Sequence, residues 1–510
     1  YAEKLDAINE FETSYGIKKG GFDVVLGNPP YVQIQSMGEM ATHLQAQNFI
    51  TFERTGDLYG LFYELGNTIL KQNGLLGFIT SNKWMRANYG KKLRNYFVKH
   101  TNPKILIDLG SGIFESATVD SNILIFEKEE VTNYFLTALN ISKKKVFTSF
   151  DELFQQSVIL NELSSDIWAI SNPIEQQIKK KIEKVGMPLK KWNIEINYGL
   201  KTGLNDAFII DESKKEELIQ KEPKSAEIIK PVLRGKDINR YNIGYKKLYL
   251  INSHNGDKEN ARINIDEYPA IKEHLNQFYT KLEKRYDKGT TPYNLRNCAY
   301  LSNFEKEKII WKEMSSDTPF CIDKNKFFTN DTITFITGDN LYFLIAVLNS
   351  KLNFYSFSNF YSGGGLGNKG VRFKKEFISK IPVPKIDKEN QQPFIEKADL
   401  MLSLNKELQT KSEKFIKRIK SNLEIEKITN KLQNFYNFDF KTFVSELKKQ
   451  KIKLTFTQQD EWEDYFDNYK TEINDLQNQI NQTDKEIDKM VYELYELTSE
   501  EIEIVENSVK

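Results

Sequence analysis

The sequence predicts an α/β protein whose first domain is part of a doubly wound, largely parallel sheet. Short apolar runs rich in branched residues recur through the first 130 residues. Stretches with helical spacing alternate with these runs, and glycine or asparagine–glycine pairs separate the two kinds.

The elements follow in order. Phe22–Leu26 (FDVVL) lies between Gly20-Gly21 and Gly27, as a buried parallel strand would. Asp57–Leu70 has apolar residues at helical spacing and is stopped by Asn73-Gly74. Leu75–Thr80 reads as a second strand, Tyr89–Lys99 as a helix, and Ile105–Leu109 and Asn122–Phe126 as further strands. Residues 131–185 turn helical and irregular, as a connector. Residues 186–385 hold short strands, many tyrosines and turn-rich stretches such as Lys201–Asn205 and Gly363–Gly370, which suits a mixed α+β domain. Ile381-Pro382-Val383-Pro384 marks its exit, and 386–510 is mostly helical. Ile473, Ile480, Ile487 and Leu494 recur every seven residues there, with Thr483 as a polar lapse, so packing within the domain is favoured over an intermolecular coiled coil. The domains are thus 1–130, 131–185, 186–385 and 386–510.

With 510 residues, 39% hydrophobic, the chain can fill two or three cores. No run approaches the eighteen or so apolar residues of a membrane span, so no membrane partner is expected. Two cysteines and four histidines offer neither a disulfide framework nor a metal site, which suits the cytoplasm. The net charge of +1 hides an asymmetry: residues 186–385 carry 33 Lys+Arg against 24 Asp+Glu, whereas 386–510 carry 19 against 26. A basic middle segment is the footprint of a domain that meets a polyanion, although a solvated lysine-rich surface looks similar.

Asn28-Pro29-Pro30-Tyr31 ends the first strand, where ligands gather in open sheets. The paired prolines stiffen the turn and remove two N–H donors, leaving carbonyls free to accept. Asn28 adds a side-chain acceptor, and Tyr31 an aromatic plate. Two aimed acceptors beside such a plate suit a planar amine like N6 of adenine. Hydrogen bonds to Asn28 and to the Pro29 carbonyl would free the nitrogen lone pair to attack a methyl sulfonium, with no general base needed first. An adenine in a duplex must leave the stack to reach such a pocket.

With these residues the chain resembles the gamma-type amino-methyltransferases, and more narrowly the type IIG restriction–modification proteins with a TaqI-like methylase. The resemblance is carried by Gly20–Val32 (GGFDVVLGNPPYV), Asp57–Phe62 (DLYGLF), Leu75–Trp84 (LLGFITSNKW) and Ile113–Phe126 (IFESATVDSNILIF). Tyr198–Phe208, Ile229–Asp237 and Leu348–Leu352 resemble the TaqI-type target-recognition domain, and Val491–Ile504 the tail of the same proteins. The resemblance implies a partial Rossmann-like methyltransferase sheet, a mixed α+β target-recognition domain and a helical C-terminal region. It implies S-adenosylmethionine as cofactor, with Phe62 and Asn28 contacting it, and double-stranded DNA as partner. Asn28, Pro29, Pro30 and Tyr31 take the catalytic role, and Tyr31 and Phe114 stack on the flipped adenine from opposite sides.

The family's glycine-rich cofactor loop belongs upstream of this strand, yet only 27 residues precede Asn28. Neither Asp108–Gly112 nor Gly363–Gly370 is assigned to that role. The expectation is a chain lacking its N-terminal portion and inactive as an isolated fragment, with that portion or a separate subunit as a further partner. Mg2+ enters only if a nuclease domain lies upstream, since nothing here resembles a nuclease. Lys201, Thr202, Asn205, Arg234, Lys236, Arg372 and Lys374 lie in loops suited to DNA contact. Tyr286, Tyr293, Tyr300, Tyr355 and Tyr361 read as packing residues rather than base-stacking platforms. Two other functions stay open: a DNA-recognition fragment without catalysis, and an RNA or protein amino-group methyltransferase.

Overall fold

The alternation of strands and helices builds a sheet in the first part of the chain, but a mixed one. In a computed structural model of the protein, the described residues are 21–508, apart from 111–112, 114–119, 142–148, 150, 152–153, 156, 162, 169, 171–172, 259, 363–369 and 426. The chain divides into two units, 1–179 with 358–371, and 180–357 with 372–510.

In the first unit, β1 (Phe22–Gly27), α1 (Tyr59–Ile69), β2 (Leu70–Ser81), α2 (Lys91–His100), β3 (Asn102–Gly110), β4 (Ser121–Glu127), β5 (Leu136–Asn140) and β6 (Val158–Leu160) follow in order. The sheet order is β1-β2-β4-β3-β5-β6. β1 pairs with β2 and β3 with β5 in parallel, while β4 runs antiparallel between β2 and β3. Two expectations change. Residues 131–185 are not a purely helical connector, because Leu136–Asn140 and Val158–Leu160 add strands to this sheet. Nor is β1 buried: Phe22, Val24 and Leu26 are 45%, 53% and 77% exposed, since only β2 flanks this edge strand among the described residues. The core lies on the α1 and α2 side, where Tyr63, Trp84, Phe97 and Phe126 pack edge to face or tilted.

The second unit opens on β7 (Ile194–Tyr198), β8 (Ile209–Asp211), β9 (Ile229–Leu233), β10 (Leu248–Ile251), β11 (Lys308–Lys312), β12 (Cys321–Asp323), β13 (Phe328–Thr329) and β14 (Ile333–Gly338). They form two four-stranded sheets, β12-β11-β14-β7 and β13-β9-β10-β8, over a shared core in which Phe304 stacks on Phe328 at 5.1 Å. Beyond α3 (Leu341–Leu348) come α4 (Lys388–Leu423), α5 (Phe440–Lys449), α6 (Phe456–Leu494) and α7 (Ser499–Ser508). Ile473, Leu476, Ile480 and Ile487 of α6 are buried against α4 of the same chain, with Thr483 in the stripe bonded to the Gln479 carbonyl. A cluster of Phe415, Phe435, Phe443 and Phe466 closes this hairpin near α5. Among the described residues no helix is long and apolar enough to cross a membrane. No group of three or more His, Cys, Asp or Glu there could hold a metal.

Candidate active site

Gly27 closes β1 in a tight spot, where a Cβ would press on the Phe78 ring at 3.0 Å. The chain leaves the sheet there as Asn28-Pro29-Pro30-Tyr31. Asn28 is exposed, Pro29 buried and Tyr31 half-buried. Among the described residues no backbone or side-chain donor engages the Asn28 amide or the Pro29 carbonyl. The Tyr31 ring meets Tyr59 edge-on at 6.1 Å. Burial pushes the Tyr31 hydroxyl above its ordinary range, and a hydrogen bond with Ser121 opposes that shift.

The residues after the tetrapeptide are tied to the start of α1. Ile34 N–H donates to the Gly56 carbonyl at 2.9 Å, and Leu58 N–H to the Val32 carbonyl at 2.8 Å. Phe62 rides one turn along this helix, half-buried against the core. The turn and Phe62 are therefore held by one backbone frame.

Because β4 is antiparallel, its first residues stand beside the last residues of β2 and β3: Thr80 faces Asn122, Ser81 faces Ser121, and Asp108 faces Asn122. The Asn122 amide oxygen accepts from the Thr80 hydroxyl at 3.0 Å and the Trp84 indole at 3.2 Å. Its amide nitrogen is buried with no partner among the described residues. Asn82 donates to Asp108 at 2.9 Å. Burial raises the Asp120 carboxyl, and nearby Asp108 raises it further, while Lys83 and Arg86 pull it back. Burial lowers the Arg86 guanidinium, with Asp108 and Asp120 opposing. This polar edge is absent from the sequence reading. Its signal, the polar Ser121-Asn122 pair opening an apolar strand and Asp108 inside another, means little until the register is known.

Phe114 lies outside the described residues. The other predicted contacts are in the second unit, and several have partners within it. Lys201 pairs with Asp287 at 2.8 Å. Thr202 is buried and donates to Asn205 at 2.6 Å. Arg234 forks onto the buried Asp237 at 3.1 Å from both Nε and Nη2, locking the turn that holds Lys236. Lys236 and Arg372 are exposed, and Lys374 is half-buried. Tyr355 and Tyr361 are buried, and Tyr293 and Tyr300 pack against the core. Tyr286 is not a packing residue: it is 97% exposed.

Comparisons with known proteins bear on both units. The family described as Eco57I restriction-modification methylase matches residues 2–114, and the TaqI-like C-terminal specificity domain matches 230–383. A domain of unknown function, DUF8810, matches 387–491. RM.Eco57I, a type II restriction enzyme and methyltransferase of Escherichia coli, is 28% identical over 222 residues, covering 42% of this chain and 22% of that protein. The type II methyltransferase M.BstVI of Geobacillus stearothermophilus is 23% identical over 73% of this chain and 68% of its own length. M.HincII of Haemophilus influenzae is 25% identical over 82% of this chain and 84% of its own. The alignment with RM.Eco57I thus takes in about a fifth of that protein. The solved structure of the type IIL restriction-modification enzyme MmeI in complex with DNA shares the fold, with a TM-score of 0.56 at 13% identity, over 95% of this chain and 56% of that one.

Proposed function

Taking the chain as a restriction–modification methyltransferase with an Eco57I-type methylase segment ahead of a TaqI-like specificity domain, we propose that it methylates adenine N6 at a specific duplex site. The observation that carries this is the Asn28 amide and Pro29 carbonyl at the end of β1, unengaged among the described residues, beside the half-buried Tyr31 ring. S-adenosylmethionine, when bound, supplies an electrophilic methyl group on sulfur. The residues present fit it: Phe62 offers a half-exposed aromatic face on the helix that is tied to the tetrapeptide by the Leu58–Val32 bond.

The Asn28 side-chain oxygen and the Pro29 carbonyl accept from the two N6 protons of an extruded adenine. Those bonds draw the nitrogen toward a tetrahedral geometry, and its lone pair turns outward. The prolines hold both acceptors without an ordering cost at the moment of reaction. Tyr31 stacks on the base and offsets part of the few kcal/mol lost when it leaves the duplex. Phe114 is proposed as the opposite face of that stack. Once the methyl is on nitrogen, the amine proton is acidic enough to pass to water.

The test is transfer of labelled methyl groups from S-adenosylmethionine to duplex DNA by the protein in its natural length, followed by nucleoside digestion. Label on N6-methyl-2′-deoxyadenosine supports the reading, and label only on RNA or protein present in the reaction overturns it. Asn28→Ala is expected to cut transfer at least about a hundredfold while duplex binding stays within about threefold.

A further inference from the structure

Tyr286 is presented to solvent by a loop that has little freedom to withdraw it. On its N-terminal side Arg285 is buried, and its guanidinium donates to the carbonyls of Thr202, Pro292 (2.9 Å) and Asn294 (2.5 Å) while lying 4.5 Å over the Phe208 ring. On the C-terminal side Asp287 is held by Lys201 at 2.8 Å and Arg296 at 3.2 Å. The strands of the loop close on each other through the Gly289 N–H to Asn294 carbonyl bond at 2.9 Å and the Lys288–Leu295 bridge. Gly289 has no room for a side chain, because a Cβ would meet Asn255 Oδ1 and the Leu295 carbonyl at 2.5 Å each.

The anchored backbone presents the Tyr286 ring to solvent at 97% exposure, an unfavourable hydration that a partner could relieve. The surroundings select the partner. Lys284 and Lys288 lie close to Tyr286 in sequence, Lys201 and Arg296 are paired with its neighbour Asp287, and all four are exposed. An exposed aromatic among such cations is complementary to a nucleic acid, whose bases and sugars offer flat apolar faces between phosphates. We propose that Tyr286 packs directly on a base or deoxyribose of the bound duplex, with Lys201, Lys288 and Arg296 on the flanking phosphates; this rests on the duplex-binding reading above. Asp287 holds Lys201 and Arg296 in register beside the ring, so their side chains lose less freedom on binding.

The experiment is fluorescence anisotropy of a fluorescein-labelled mixed-sequence duplex titrated with the full chain at several salt concentrations. Tyr286→Ala is expected to weaken binding about tenfold with the salt slope unchanged, since a neutral ring releases no counterions. Tyr286→Trp should restore binding, and Arg296→Gln should flatten the slope by about one. Tyr286→Ala binding as tightly as the unaltered chain overturns the proposal and leaves duplex recognition standing. Failure of the unaltered chain to bind duplex overturns both.

Discussion

Asn122 has no exposed surface, yet its amide oxygen takes donors from both Thr80 and Trp84. Replacing it with Ala strands the Trp84 indole N–H, while the Thr80 hydroxyl keeps only its bond to Tyr63 at 3.1 Å. Asn122→Ala is expected to cost about 1–3 kcal/mol, read as a lower midpoint in urea denaturation. None of this was legible from the sequence, whereas the tetrapeptide was. Asn28, Pro29, Pro30 and Tyr31 are consecutive, so the role proposed for them could be read without knowledge of the fold. Asp108, Asn122 and Arg86 come together only through strand register and carry no local pattern. Thr202 and Arg234 show the converse limit. Polar loop residues suit DNA contact, but here Thr202 bonds Asn205 and Arg234 bonds Asp237.

At the scale of elements, periodicity located helices and strands, and neighbours decided their burial. An apolar run such as Phe22–Leu26 reads the same in a central strand and at an edge; only pairing tells them apart. α1 crosses β2 at Gly66, where a Cβ would come within 2.3 Å of the buried Leu76 Cδ1. Alanine there gains about 1 kcal/mol of helix propensity but overfills a closed contact, at a cost of about 1–3 kcal/mol. Gly66→Ala should therefore be neutral to destabilising in thermal unfolding, never clearly stabilising. The heptad stripe of α6 was legible, but not the charges beside it. Asp488 is buried, accepts from the Lys351 N–H at 2.8 Å, and has Lys351 Nζ at 3.8 Å, with Asp484, Arg240 and the Tyr492–Glu506 pair nearby. Burial, with repulsion from Asp484, pushes its carboxyl up to about 7. A carboxyl raised on folding stabilises the fold below its unfolded value and loses that contribution as pH climbs through the folded one. Asp488→Asn should thus raise the Tm by about 3 °C at pH 8, the gain shrinking towards pH 5, as differential scanning fluorimetry across that range would show.

Across the whole molecule, the balance of +1 conceals a basic middle and an acidic end. That contrast was visible without coordinates, because net charge needs no fold. Which cations remain available was not visible: Arg234 is locked onto the buried Asp237, while Lys236, Lys288 and the Asp287-paired Arg296 stay exposed. If about four such cations meet phosphates, duplex affinity should fall roughly a hundredfold between about 50 and 200 mM salt, as anisotropy titrations of the full chain would report. A flat salt response would remove the polyanion reading of the basic segment. The return of 358–371 to the first unit was not legible, since contacts far apart in sequence leave no compositional mark.

The reversed direction of β4 has a consequence for how such a protein can diversify. Gly110 and Ser121 are paired neighbours, and Ser121 is also hydrogen-bonded to Tyr31 of the tetrapeptide. A lineage can therefore gain or lose residues between those two positions without shifting the register of any strand, inheriting the scaffold intact.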